Sequence, residues 1–341
     1  MMLEVNKTNR LKLTNIISAT CLAFCAYYYS QAVTVRQALS RVGHELNITG
    51  RGNPDMLIFN RVPKVGSQTI MNLIGYLRAA NDFDAFTSLD NMPEYSKDSE
   101  TVFLPDAPMR QLTVDSLMKT QNKGKSFAFL KHQNFLNFSE FNESPPIYMN
   151  FVRHPVERVI SWYYYVRAPW YQIEHDKFNQ TSLRMSLSIR ELKTSLEDCL
   201  KMNRRGCIFE KGMLLHSGAH AMSHVSQMSF FCGHDRICNQ WEQPELHRRA
   251  KENVEKYFAV VGVLEDWEIS LEVLEQYIPR FFAQARKVAQ DNPDIKHVNK
   301  NIYKPKVSTA IRHWLAAKMP LEIDFFHFCR QRLYQQYLAH P

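Results

Sequence analysis

The chain has 341 residues, of which 45% are hydrophobic and 12% aromatic, and it contains 11 glycines. This composition excludes a disordered or collagen-like polymer and is typical of a globular protein with one large domain or two small ones. Its 42 Lys and Arg residues against 34 Asp and Glu give a formal net charge of +8. Such a surface favours an anionic partner, but charge alone does not distinguish nucleic acid, an anionic glycan, a nucleotide and a membrane surface.

An uncharged stretch near the N-terminus is the first positional signal. Residues 13–35 carry no charged side chain and follow Lys7, Arg10 and Lys12. Their length suits a helix that crosses a hydrocarbon core about 30 Å thick, and basic residues before such a helix favour a cytosolic N-terminus. We therefore expect a cytosolic tail over residues 1–12 and a transmembrane signal-anchor over residues 13–35, with a cleaved signal peptide as the competing interpretation.

Either interpretation places the rest of the chain in the secretory pathway. The polar residues 36–55 are interpreted as a stalk, and residues 56–341 as the lumenal domain. Acceptor sequons for N-linked glycans agree with this placement, although such short motifs also arise by chance. They begin at Asn47, Asn137, Asn142 and Asn179.

The cysteines beyond the expected anchor form two close pairs and one single residue. Cys199 lies close to Cys207 along the chain, and Cys232 close to Cys238. Both spacings suit local disulfides in an oxidising compartment, while a zinc site is the alternative because cysteine is also a common zinc ligand. Cys329 lies in an apolar stretch and is expected to be a buried free thiol.

Four short apolar runs have the length of buried strands, and helical patterns follow three of them. The runs are residues 56–62, 127–130, 147–152 and 258–263, and the helical patterns are residues 69–80, 155–166 and 264–278. Strands that alternate with helices predict a parallel sheet covered by helices. Ligands of such sheets bind at the carboxyl ends of the strands, so we expect the chemistry in the loops after Val62, Leu130 and Val152.

The loop after the first strand has the features of an anion site. Residues 63–69 contain Lys64 and Gly66 just before an expected helix N-terminus, where free N–H groups and the helix dipole favour negative charge. The loop lacks the Walker spacing of glycines and lysine. Phosphate binding and an ordinary strand-to-helix turn are therefore both open on this loop alone.

The loop after the third strand adds an arginine at a strand end. Arg153 is placed to bind a phosphate bidentately, and Ser161 can add a hydroxyl from the following helix. The alternative is that Arg153 pairs with a carboxylate of the protein.

Together these loops resemble the two nucleotide-binding motifs of Golgi carbohydrate sulfotransferases. The chain is most similar to the uronosyl 2-O-sulfotransferases, which include the uronyl and heparan sulfate enzymes, and residues 131–138 resemble the uronyl and Pipe branches most. The resemblance extends over roughly residues 55–335 and includes the cysteine pairs. It is carried by residues 61–69, 131–138, 153–164, 230–234 and 260–265.

The resemblance implies a fold and a donor. The fold would be a P-loop-like α/β sulfotransferase fold, in which a parallel sheet is flanked by helices. The donor would be 3′-phosphoadenosine 5′-phosphosulfate (PAPS), used as a co-substrate. No metal is implied, because this donor carries fewer charges near the transferred group than ATP does.

The resemblance also implies roles for individual residues. His132 would take the proton from the acceptor hydroxyl, and Lys64 would neutralise charge on the leaving phosphate oxygen. Arg153 and Ser161 would hold the 3′-phosphate. Lys300 would lie over the nucleotide in a basic loop, for which a solvated surface loop is the alternative. The 5′-phosphosulfate would be held by Lys64, Val65, Gly66, Ser67, Gln68 and Thr69.

The expected function is transfer of sulfate to the 2-hydroxyl of a uronic acid, or a related sugar, by a single-pass type II protein of the Golgi membrane. The partner would be an anionic glycan and not nucleic acid, and a homo-oligomer is open. Residues 168–172 lack the arginine cluster of the heparan sulfate branch, which leaves the acceptor undetermined. The alternatives are a catalytically inactive glycan-binding protein on the same fold and a nucleotide-dependent kinase, the latter disfavoured by the missing Walker spacing.

Overall fold

The computed structural model describes residues 2–88, 103–121, 124–171, 173, 187–204, 206–215, 226–297 and 304–339. Its centre is a five-stranded parallel sheet with the strand order β2-β3-β1-β4-β5. The strands are β1 (Asn53–Asn60), β2 (Asp84–Phe86), β3 (Phe127–Lys131), β4 (Pro146–Val152) and β5 (Phe258–Val263). The predicted parallel α/β sheet is confirmed.

The four apolar runs correspond to β1, β3, β4 and β5, whereas β2 was not predicted. Strand β2 has three residues, and all of them are only partly buried, so it lacks the continuous apolar run of a central strand. Strand β1 begins at Asn53 and ends at Asn60, and so lies earlier than the predicted residues 56–62. Arg61 and Val62 consequently belong to the loop.

The helices cover both faces of the sheet, because every residue of β4 and β5 is buried although successive side chains point to opposite faces. The helices of the described residues are α1 (Met2–Leu46), α2 (Ser67–Ala80), α3 (Ala107–Gln121), α4 (Pro155–Tyr165), α5 (Ile189–Lys193), α6 (Leu196–Lys201), α7 (Met228–Cys232), α8 (Pro244–Tyr257), α9 (Trp267–Tyr277), α10 (Pro279–Phe282), α11 (Ala285–Asp291), α12 (Thr309–Ala317) and α13 (Pro320–Ala339). The three predicted helical stretches correspond to α2, α4 and α9.

Helix α1 contains the stretch that was expected to be a signal-anchor. Within the described part of the chain, no helix combines the length and the apolarity that a membrane span requires. Residues 36–55, interpreted as a stalk, comprise the end of α1, a 3₁₀ turn at Thr49–Arg51 and the start of β1. The end of α1 lies against α13, where Arg332 Nη2 donates to Leu46 O at 3.4 Å.

Both predicted disulfides are present, Cys199–Cys207 and Cys232–Cys238. The alternative of a zinc site at these cysteines is therefore wrong, since their sulfurs are bonded to each other. Cys329 is a buried free thiol on α13, as expected, and burial raises its pKa. Among the described residues, no three His, Cys, Asp or Glu side chains are grouped as metal ligands.

The sequons have different surroundings. Asn47 is exposed, and its Oδ1 accepts hydrogen bonds from the Thr49 N–H (3.2 Å) and hydroxyl (2.5 Å). Asn137 is partly buried and caps the 3₁₀ helix Phe138–Phe141, whereas Asn142 is exposed at the other end of that helix with φ 57°. Asn179 lies outside the described residues. Glycosylation at all four stays a prediction.

Candidate active site

Three loops meet at the carboxyl edge of the sheet, as the strand pattern predicted. Asn60, the last residue of β1, pairs in register with Lys131, the last residue of β3. On the other side, Asn150 of β4 donates its amide to Asn60 O at 2.6 Å and to Asn60 Oδ1 at 3.0 Å. Because these contacts are buried, they fix the points from which the loops leave the sheet.

The loop after β1 turns sharply into α2. Lys64 and Gly66 both have left-handed backbone conformations, with φ 67° and φ 83°. A Cβ on Gly66 would lie 2.7 Å from Leu264 Cδ1, so this position combines a glycine conformation with a close approach. Helix α2 begins at Ser67, two residues before the predicted start, and residues 67–69 therefore form its first turn. Their N–H groups have no partner within the helix and suit an anion.

The side chains of this loop differ in accessibility. Val65 is fully buried in the core, so it can contribute to an anion site only through its backbone. Ser67 is also buried, and Thr69 is partly buried. Gln68 donates to Asn72 Oδ1 at 3.2 Å along the surface of α2.

Lys64 lies in a crowded cationic environment. Its Nζ is 3.6 Å from the centre of the Tyr165 ring, which provides a cation–π contact. Its backbone oxygen accepts a hydrogen bond from Arg153 Nη1 at 3.2 Å. Burial, followed by the nearby charges of Arg153 and Lys304, lowers the pKa of Lys64 to about 7.

Arg153 and Lys304 complete a cluster of three cations. Burial lowers the pKa of each, the charge of Arg153 lowers the pKa of Lys304 further, and Glu265 partly offsets the effect on Arg153. Glu265 accepts a hydrogen bond from His154 N at 3.0 Å. Within the described ranges, Arg153 makes no ion pair with a carboxylate, which disfavours the alternative structural role. Burial is the main cause of all three lowered pKa values, and neighbouring positive charges add to it at Lys64 and Lys304, so a bound anion would stabilise the charged forms.

Lys304 is the residue that the sequence did not single out. The sequence pattern predicts Lys300 as the contact from this basic segment, and Lys300 lies outside the described residues. Nothing in the local pattern distinguishes these two lysines, because their positions depend on how the late segment returns to the sheet.

Arg153 begins the segment that enters α4, and Ser161 lies farther along the same helix. Pro155 is the first residue of this helix, where the missing N–H of proline costs no hydrogen bond. Ser161 is partly buried. Its contact with a 3′-phosphate stays a prediction.

His132 follows β3 directly and is partly buried. Its Nδ1 lies 2.8 Å from the backbone oxygen of Arg61. A carbonyl oxygen only accepts, so Nδ1 is the protonated nitrogen of the neutral ring and the basic lone pair is on Nε2. The Arg61 guanidinium is itself largely buried, and burial lowers its pKa to about 10.

The contacts of Arg153 include a second residue that sequence reasoning missed. The side chain of Gln227 forms two hydrogen bonds with the backbone of Arg153. No local motif marks this glutamine, since it belongs to a segment distant in the chain. The site is therefore assembled from the β1, β3 and β4 loops and from residues that follow much later.

Comparison with known proteins agrees with this arrangement. The model of the sulfotransferase family matches residues 52–329. The uronyl 2-sulfotransferase homolog pip of Drosophila melanogaster is 35% identical over 297 residues, which cover 86% of this chain and 55% of that protein. Uronyl 2-sulfotransferase of Mus musculus is 25% identical over 285 residues, covering 82% and 63%.

A third relative, heparan sulfate 2-O-sulfotransferase hst-2 of Caenorhabditis elegans, is 28% identical over 231 residues, covering 67% of this chain and 62% of that protein. The matches to these three relatives span between 55% and 63% of their lengths. The family model covers the whole sheet and all three loops of the site. The chain belongs to the sulfotransferase family.

Proposed function

We propose that this chain transfers sulfate from PAPS to the 2-hydroxyl of a uronic acid, or a related sugar, in a glycosaminoglycan or glycoprotein glycan. The observation that carries the proposal is the cluster of Lys64, Arg153 and Lys304 beside the N-terminus of α2. Their pKa values are all lowered, chiefly by burial, so a bound anion would stabilise their charged forms. The similarity to relatives named as uronyl and heparan sulfate 2-O-sulfotransferases supports the same reaction.

The residues suit a donor that carries phosphate groups at the 3′ and 5′ positions of its ribose. Lys64, the N–H of Gly66 and the first-turn N–H groups of residues 67–69 would bind the 5′-phosphosulfate. Arg153 and Ser161 would bind the 3′-phosphate, with Lys304 adding a further positive charge. Lys300 keeps its proposed position over the nucleotide.

The proposed reaction uses two side chains of the site, His132 and Lys64. His132 Nε2 would take the proton of the acceptor hydroxyl while that oxygen forms a bond to the sulfur. The bond between sulfur and the bridging phosphate oxygen would break on the opposite side. Lys64 would stabilise the negative charge left on that oxygen, which is the role of a cation in group transfer of this kind. The proposed reaction assigns no step to a metal.

The proposal extends to the surroundings of the enzyme. The acceptor would be an anionic glycan, to which a chain with net charge +8 is attracted. The two disulfides support an oxidising compartment, and exposed Asn47 and Asn142 agree with glycosylation there. We place the protein in the Golgi membrane, with a single type II anchor over residues 13–35 and a lumenal catalytic domain. A homo-oligomer stays open, and light scattering on the purified chain would measure it.

The decisive experiment incubates the full chain with radiolabelled donor and a panel of glycans. We expect incorporation into glycans that contain uronic acid. His132→Ala should lower the rate by roughly 10²–10⁴-fold, the usual contribution of a general base. His247→Ala is the matched control, because His247 pairs with Asp324 at 2.7 Å and makes no described contact with the cation cluster.

Two results would count against the proposal in different ways. Full incorporation by His132→Ala would remove the histidine from the mechanism but leave the reaction. Absence of incorporation into every glycan by the unaltered chain would contradict the reaction itself and favour an inactive glycan-binding protein on this fold.

A further inference from the structure

Gln227 forms a reciprocal pair of hydrogen bonds with the backbone of Arg153. The Arg153 N–H donates to Gln227 Oε1 at 3.2 Å, and Gln227 Nε2 donates to Arg153 O at 3.0 Å. Gln227 is fully buried, so a polar atom left there without a hydrogen-bond partner would carry the desolvation cost of a buried group. The side chain therefore acts like a short piece of neighbouring strand and fixes both the position and the orientation of this peptide.

The backbone of Gln227 is anchored in turn by Glu322. This carboxylate, fully buried in the first turn of α13, accepts the N–H of Gln227 (3.2 Å) and of Met228 (3.2 Å). It also accepts the hydroxyl of Ser226 at 2.6 Å. Several donors on one buried carboxylate form a rigid connection, because losing any of them leaves charge uncompensated.

The same carboxylate faces Arg158, which lies on α4 only a turn after Arg153. Arg158 is fully buried, and burial lowers its pKa to about 10 while the charge of Glu322 acts in the opposite direction. The pKa of Glu322 is raised by burial and lowered by Arg158. Glu322 thus connects the segment that carries Gln227 to the helix that Arg153 precedes.

The guanidinium of Arg153 has one described hydrogen bond, from Nη1 to Lys64 O at 3.2 Å. An arginine side chain has many rotamers, and bidentate binding of a phosphate requires a fixed backbone origin. Gln227 supplies that origin from a segment remote in the chain.

We propose that Gln227 is a positioning residue for the donor, which holds the backbone of Arg153 so that its guanidinium binds the 3′-phosphate. The inference rests on the proposed function. It predicts a specific defect: loss of Gln227 weakens recognition of the 3′-phosphate and leaves the rest of the nucleotide site in place.

The test compares two nucleotides on the full chain by isothermal titration calorimetry. Adenosine 3′,5′-bisphosphate carries the 3′-phosphate, and adenosine 5′-monophosphate lacks it. The unaltered chain should bind the bisphosphate more tightly. In Gln227→Met, which keeps the volume and removes both hydrogen bonds, the ratio of the two affinities should fall roughly tenfold.

Gln336→Met is the matched control. Gln336 is also fully buried and donates to a backbone oxygen, Ala259 O, at 2.7 Å, but this hydrogen bond joins α13 to β5 and does not involve Arg153. It should lower the melting temperature without changing the affinity ratio. If Gln227→Met fails to fold, Gln227→Asn carries the same test, because it keeps the amide and shortens its reach.

The outcomes separate this inference from the proposed function. A fall in the ratio that is confined to the Gln227 variants supports the positioning role. Equal weakening of both nucleotides, or an unchanged ratio in a folded variant, overturns it. If the unaltered chain binds neither nucleotide, the proposed function fails, and the inference fails with it.

Discussion

The two loops that carry the main cations of the site are held in different ways. The loop after β1 is shaped by its own residues, since Lys64 and Gly66 take left-handed conformations and α2 begins immediately afterwards. The segment around Arg153 is held from outside, by Gln227 and, through that residue, by Glu322. A local motif can therefore reveal the first loop, whereas the geometry of the second depends on tertiary contacts.

Of the changes that compare these two loops, the largest effect on the rate is expected at the loop after β1, from Lys64→Met. Removing the Nζ should lower the rate of sulfate transfer by roughly 10²–10³-fold, because charge on the leaving oxygen then lacks its nearest cation. Initial rates with radiolabelled donor measure this loss. Lys125→Met is the control, since Lys125 pairs with Asp84 at 2.9 Å on the surface. Similar rates in both variants would contradict the role of Lys64.

The remote support is tested by Glu322→Gln, which should reduce the free energy of unfolding by about 3–5 kcal/mol. The reason is that Arg158, fully buried, loses the charge that faces it. Denaturant titration measures the loss. Glu245→Gln removes a carboxylate that pairs with Arg248 at the surface and should change stability little. If Glu322→Gln keeps the native stability, the charge of Glu322 is not needed to hold the segment that carries Gln227.

The electrostatic coupling between the two loops predicts proton uptake when a nucleotide binds. The pKa of Lys64 is about 7 in the free protein, and a bound polyanion raises it. Affinity for adenosine 3′,5′-bisphosphate should therefore fall roughly fivefold between pH 7 and pH 8, where Lys64 must gain a proton in order to bind. Titration calorimetry in buffers of different ionisation enthalpy detects this proton.

Lys64→Met is the control for the coupling, because it has no proton to gain. An equal pH dependence in this variant would assign the uptake to another group. The stability of the free protein depends on pH in the opposite direction to the nucleotide affinity. Because the pKa of Lys64 is lowered, the folded state binds fewer protons than the unfolded state above pH 7. The cost of burying the charged Lys64 amine is therefore relieved, and stability rises, as the pH increases from about 7 toward the ordinary range of lysine.

The smaller of the two changes in stability is expected from the backbone of the first loop. Gly66→Ala should destabilise the protein by about 1–2 kcal/mol, the cost of a left-handed alanine, and it also displaces the Leu264 methyl group. Gly75→Ala on α2 is the matched control, because a Cβ there meets open space. It should stabilise the helix by about 0.5–1 kcal/mol. Thermal unfolding of the pair gives the contrast, and equal effects would deny the strain at Gly66.

The sequence predicted much of the fold because buried parallel strands are continuous apolar runs. It also predicted that Lys64, His132 and Arg153 follow strand ends, and the structure places all three at one edge of the sheet. The prediction missed two residues of the site for one reason: it named Lys300 where the structure has Lys304, and it did not include Gln227. Both residues reach the site through long-range packing, for which neither periodicity nor spacing gives a local signal.

The position of β1 has a consequence for the order in which the protein folds. Asn53–Asn60 is the first strand made and lies at the centre of the sheet, but its neighbours begin only at Phe127 and Pro146. During synthesis this apolar strand must wait without partners, and long-range parallel pairing is slow. Gln227, Lys304 and Glu322 emerge later still. The loop that contains Lys64 is thus among the earliest parts of the site to be synthesised, yet it gains its complete cationic environment only after Lys304, near the end of the chain, has been made.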